Sequence, residues 1–132
     1  MGKTQITINS SFYKKMDEME NRVKNEVYSK GEEIVSYAVA ISPIYSGAYV
    51  ESFSVRPRGD SSGRSRTSNG RPELSLPAKD AKKQDEAVRL REEIRSIDPL
   101  ESEGFTLRNR SPHNKIVEKN HDVFLRTKDR FR

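Results

Sequence analysis

The sequence predicts an α+β fold: a long N-terminal amphipathic helix packed on a small antiparallel sheet, with a second helix and a long basic loop. Three observations predict it. Apolar residues recur at helical spacing from Phe12 to Ile41, two short segments around Phe53 and Phe105 alternate, and a second helical stripe lies between them. The 132 residues fit one domain spanning 1–132. With 32% hydrophobic and 34% charged residues, the core must be small. A mean hydropathy of -0.92 points the same way. Part of the chain is therefore expected to be extended, or ordered by neighbouring molecules.

Residues 4–9, TQITIN, alternate with Ile6 and Ile8 on one side, and 1–10 reads as an extended arm. Asn9, Ser10 and Ser11 then offer the short oxygen-bearing side chains that satisfy free amides at a helix start. Phe12, Met16, Met19, Val23, Val27, Ile34, Ala38 and Ile41 follow at spacings of three, four or seven, the pattern of a helix of about 30 residues. Gly31 marks a bend, and Pro43 ends the helix because the residue before proline avoids the helical region. This stripe is a packing surface and implies no chemistry.

Residues 42–50 form a compact turn around Pro43 and Ser46-Gly47. From residue 51 the chain alternates, with Phe53 and Val55 on one face of a strand. Gly59 to Gly70 is almost free of apolar residues and reads as a long loop or hairpin tip within a basic Gly/Ser-rich segment, 56–77. A loop of this kind is expected to be held by neighbouring chains. A second helix covers 78–97, with Ala87, Leu90, Ile94 and Ile97 inward, and Asp98-Pro99 closes it. Phe105 and Leu107 mark a second strand, Ser111 and Pro112 open a short helix, and Val123-Phe124-Leu125 begins a last strand. The expected order is αβ(loop)αβαβ.

There is no cysteine, which removes disulfides, thiolate metal sites and thiol nucleophiles together. No apolar run approaches the roughly 20 residues that cross a bilayer, and the N-terminus lacks the apolar core of a signal peptide. The expectation is a soluble, intracellular chain with no membrane partner. His113 and His121 lie eight apart with Glu118 between them, but two histidines in a polar segment are more often solvated than metal-bound. The many carboxylates fall on polar helix faces, with no apolar cluster beside any pair to separate two pKa values. P-loop, dinucleotide and nucleophile-elbow patterns are missing from the sequence. The reading is a non-enzyme with no cofactor, no metal and no catalytic residue.

The net charge of +5 is unevenly placed. Residues 1–56 carry seven positive and seven negative side chains, whereas 57–77 carry four against two and 102–132 eight against four. Arg56, Arg58, Arg64, Arg66 and Arg71 belong to the loop segment, and Arg126, Lys128, Arg130 and Arg132 form a basic tail over 126–132. Such segments suit an anionic neighbour, either a phosphate backbone or an acidic protein ring. Tyr and Phe are absent between 54 and 104, so the base-stacking partners of single-strand binders are missing from the loop.

At 42–53 the sequence reads SPIYSGAYVESF. With Ser42-Pro43, Ser46-Gly47 and Ser52-Phe53 after a long helix, it resembles small phage tail-completion and head–tail joining (neck) proteins. Asn109, Pro112 and Glu118, following a helix and a strand, resemble that family's second motif. The resemblance implies structural roles for Pro43, Gly47, Phe53, Asn109, Pro112 and Glu118. It also implies a virion protein assembled in the host cytoplasm, a homo-oligomeric ring at the head–tail interface that leaves a channel for DNA. Its partners would be further copies, the portal or adaptor ring, and tail-tube or terminator proteins, with non-specific DNA contact in the channel. Arg64 and Arg66 would be the residues that meet phosphate or acidic side chains, in a 56–77 loop that faces either a neighbouring subunit or the lumen. The alternative is a small basic nucleic-acid-binding protein with no structural role.

Overall fold

The computed structural model describes residues 10–132, with side chains from Lys14 onward. The expected arm and strand before Ser10 lie outside the described residues. The elements run α1 (Ser10–Ala40), α2 (Ala48–Glu51), β1 (Phe53–Pro57), α3 (Leu76–Arg95), β2 (Phe105–Asn109), α4 (Asn114–His121) and α5 (Val123–Arg130). The α+β class and the long first helix agree with the sequence reading. The order of the minor elements does not.

The two strands pair antiparallel, Phe53 opposite Asn109 and Pro57 opposite Phe105. One sheet face carries Phe53 and Val55 into a core with Val35, Val39, Val50, Leu90, Ile94 and Val123. Phe53, Leu90 and Ile94 are fully buried, each contributing about 1.5–3 kcal/mol relative to exposure. The sheet lies more closely against α3 than against α1, which in turn packs chiefly along α3. Polar stitches fix the seam between the two helices. Tyr28 donates to Ile97 O at 2.7 Å, Arg91 to Ser36 Oγ at 3.2 Å and Lys83 to Ala40 O at 2.6 Å. Partial burial holds the Lys83 ammonium below its ordinary pKa.

The core-facing line of α1 is Tyr28, Gly31, Val35, Ala38 and Val39 rather than the whole stripe read from the sequence. Met16, Met19 and Val23 are exposed. The reason is length: 31 residues span about 46 Å, whereas the body ends near Asp98, which Lys24 meets at 3.4 Å. Helix α1 runs through Gly31 without interruption. The ring of Phe105 sits directly on the Gly31 Cα, where any side chain would collide.

Four further corrections concern local elements. The turn at 42–50 contains the short helix α2, entered through Gly47 at φ 88°, a conformation that favours glycine. Helix α3 starts at Leu76 rather than 78, because Ser75 Oγ accepts from Ala78 N at 3.3 Å and Pro77 is tolerated in a first turn. Helix α4 starts at Asn114, so Pro112 precedes it, and Ser111 Oγ accepts instead from His113 N at 3.2 Å within the turn. The segment opening at Val123 is helical, not a strand. Val123 and Thr127, four apart, share its buried side, and both Glu118 carboxylate oxygens accept amides at its start, Phe124 N at 2.9 Å and Leu125 N at 3.1 Å. The expected basic tail is therefore largely the exposed side of α5.

Candidate functional site

A two-stranded sheet has two edges and two faces to satisfy. The core covers one face, and β2 covers one edge of β1. The free edge of β1 is met by charged side chains of α3. Arg89 Nη2 donates to Phe53 O at 2.9 Å, and Glu93 Oε2 accepts from Val55 N at 3.1 Å. Arg89 also binds Glu86 and Glu93, and Arg56 pairs with Glu93 Oε1 at 3.1 Å. This network closes a strand edge that would otherwise invite pairing with another chain.

The outer face of the sheet is covered by the basic loop. Ser54 Oγ accepts from Arg64 N at 2.9 Å and Ser52 Oγ from Arg66 N at 2.8 Å, while Ser65 donates to Arg110 O at 2.8 Å. Gly63 passes so close that a Cβ there would stand 2.9 Å from Ser54 Oγ and 3.2 Å from Arg110 Cδ. Asp60 turns the chain by accepting from Ser62 N at 2.9 Å, and its hydrogen bonds with Ser62 hold its carboxyl below the usual range. The loop is thus seated on its own sheet by two buried serines.

This seating sorts the arginines. Arg56 is spent on Glu93, Arg71 is paired with Glu51, and Arg58 lies 3.7 Å from Glu103 in an exposed, weak pair. Arg64 and Arg66 are exposed, with no ion pair among the described residues. Beside them stand Arg108, opposite Ser54 on β2, and Arg110, whose Nη1 donates to Ser61 O. The sequence reading missed both, although the alternation that turns Phe105 and Leu107 inward also turns Arg108 and Arg110 outward. Arg64, Arg66, Arg108 and Arg110 are thus four exposed cations carried by the seated loop and the strand beneath it.

The basic residues of the C-terminus belong elsewhere. Arg126, Lys128 and Arg130 are exposed along α5, and Arg132 pairs with Asp129 at 3.2 Å. The helix packs on α1, with no hydrogen bond or ion pair joining it to the loop arginines among the described residues.

The two motif segments are tied together through Asn109 and Phe53. Asn109 donates through Nδ2 to Tyr49 O at 2.9 Å and accepts through Oδ1 from Ser111 N at 2.9 Å, tying the turn after Gly47 to the turn before α4. The Phe53 ring packs on Tyr49 at 5.3 Å and on Phe124 at 6.0 Å, and Glu118 caps the helix that carries Phe124. Pro43 follows the last turn of α1, where Ser42 Oγ donates to Ala38 O at 2.6 Å. Every one of these contacts shapes the chain.

Against that knot lies a cleft of about 240 Å³ lined by Tyr45, Tyr49, Ser68, His113, Ile116 and His121, among others. The Tyr49 hydroxyl is buried without a partner, and its pKa is pushed up by that burial and, secondarily, by the charge of Glu118. Both histidines reach the cleft, but Glu118 spends both oxygens on α5. Among the described residues no group of three metal-ligating side chains occurs, and no helix is long and apolar enough to cross a membrane. No protein-family model matches the chain, and no curated protein or solved structure is significantly similar to it.

Proposed function

We propose that this chain is a structural subunit of a tailed-phage virion, one copy of a closed ring at the head–tail interface, with these four exposed arginines toward the DNA channel. The observation that carries the reading is the knot at Asn109. Asn109 of the second motif segment binds Tyr49 O within the first, and Glu118 caps the helix whose Phe124 packs on Phe53. The exposed cations add the second half of the proposal. Four arginines on a seated loop and strand present charge without base-stacking aromatics, which suits passing contact with a phosphate backbone and no reading of sequence. In this reading the other faces meet further copies, portal or adaptor, and tail proteins.

The same arginines favour a second reading, a basic nucleic-acid-binding protein that acts alone. Native mass spectrometry of the full chain at rising concentration separates the two. The ring reading expects closed multimers of the 15.2 kDa subunit converging on one copy number. A chain that stays monomeric at every concentration would sink it.

A further inference from the structure

Helix α1 carries an apolar line that its own fold covers for only half its length. Met16, Val23, Lys30 and Tyr37 follow one another at intervals of seven, one line along a helix under slight supercoil. The lower half of that line is covered from within: the ring of Phe131 packs edge-on against Tyr37, with centroids 5.7 Å apart, and lies 5.4 Å from the Lys30 ammonium. The upper half is bare. Met16 is 43%, Met19 62% and Val23 44% exposed, and they stand on a stretch that projects beyond Lys24, the residue that meets Asp98.

We infer that this projecting half of α1 pairs in parallel, and in register, with the same stretch of a second copy. Met16, Met19 and Val23 are spaced three and four apart, as in the seam of a coiled coil. Lys15 and Glu20 flank that seam on opposite sides, five residues apart. In a parallel pair each Lys15 meets Glu20 of the other copy, and symmetry gives the attraction twice. In an antiparallel pair Lys15 and Arg22, which share one flank, would face the same flank of the other copy, with like charges opposed. Identity of the two helices thus satisfies both the apolar line and its charged borders.

The inference rests on the self-assembling part of the proposed function and fails separately from it. Two turns of seam bury far less than the about 1,200–2,000 Å² of a stable interface, so this contact adds to others and needs trapping to be seen. The chain has no cysteine, so one introduced thiol reports one contact. Met19→Cys in the full chain, under a mild oxidant, is expected to give a covalent dimer on a non-reducing gel. Its yield should be at least about tenfold above that of Glu18→Cys, which lies on the other side of the helix, since a disulfide closes only where Cα atoms come within about 7 Å. Adding Glu20→Lys should lower the yield, and Lys15→Glu beside it should restore it. Circular dichroism of each variant confirms that the helix is retained. Equal yields from the two thiols, or multimers without a Met19→Cys dimer, would overturn the inference. In the second case the ring reading would stand; a chain monomeric throughout would remove both.

Discussion

Replacing Arg89 with Met is expected to cost about 3–5 kcal/mol, because it strips the partner from carboxylates that are largely withdrawn from water. The Arg89 side chain is only 15% exposed, and those of Glu86 and Glu93 are 10% and 19% exposed. Its guanidinium neutralises both and also satisfies Phe53 O at the free edge of β1. Removal leaves Glu86 without a cation, Glu93 with Arg56 alone, and an orphaned carbonyl at Phe53. In a domain of this length the loss lowers Tm by about 10–20 °C, read by thermal unfolding. Arg89→Lys should recover only part, since one ammonium cannot span the fork that a guanidinium spans. Adding Glu93→Gln to Arg89→Met should recover more, because it removes one buried charge while keeping an acceptor for Val55 N. A loss under about 1 kcal/mol for Arg89→Met would show the network to be solvated and incidental.

The second large effect falls on Asn109. Asn109→Ala is expected to cost about 2–4 kcal/mol, as Tyr49 O and Ser111 N both lose buried partners, each worth about 1–3 kcal/mol. Asn109→Asp is the informative companion. It keeps an acceptor for Ser111 N but offers no donor to Tyr49 O, and it places a carboxylate against a carbonyl in a buried site. It should therefore be no more stable than Asn109→Ala at neutral pH. Urea unfolding at matched conditions measures both, and recovery of wild-type stability by Asn109→Asp would contradict the assigned hydrogen bonds.

Both networks bear on how much of this molecule could be read before its structure. The strands at Phe53 and Phe105 were legible because alternation is a local signal, and Leu90 and Ile94 marked α3 in the same way. The facing of α1 was not legible. Met16 and Val35 carry equal weight in a periodic pattern, and only the position of Asp98 decides which half finds a partner. At Val123 three adjacent apolar residues suggested a strand, but the four-residue interval to Thr127 and the cap from Glu118 make a helix. Gly31 looked like an interruption because nothing near it in sequence announces the Phe105 ring.

The set of exposed cations was half legible. Arg64 and Arg66 stand out in a loop whose cations outnumber its acids. Arg56 and Arg71 looked equivalent until Glu93 and Glu51 were brought to them across the fold. Arg108 and Arg110 were hidden by attention to the inward face of their strand. Ser52 is marked only by the Ser52-Phe53 motif, and Ser54 gives no signal as the loop's seat, since serine on a strand's outer face ordinarily meets water.

In the proposed function the chain assembles with itself and touches DNA only in passing. Sedimentation velocity of the full chain, with and without a labelled duplex, tests both halves at once. Multimers should persist from about 50 to 200 mM salt, with DNA travelling with them only at the lower salt, as four phosphate-neutralising arginines would give. A monodisperse monomer that carries the duplex at about 200 mM salt would contradict it.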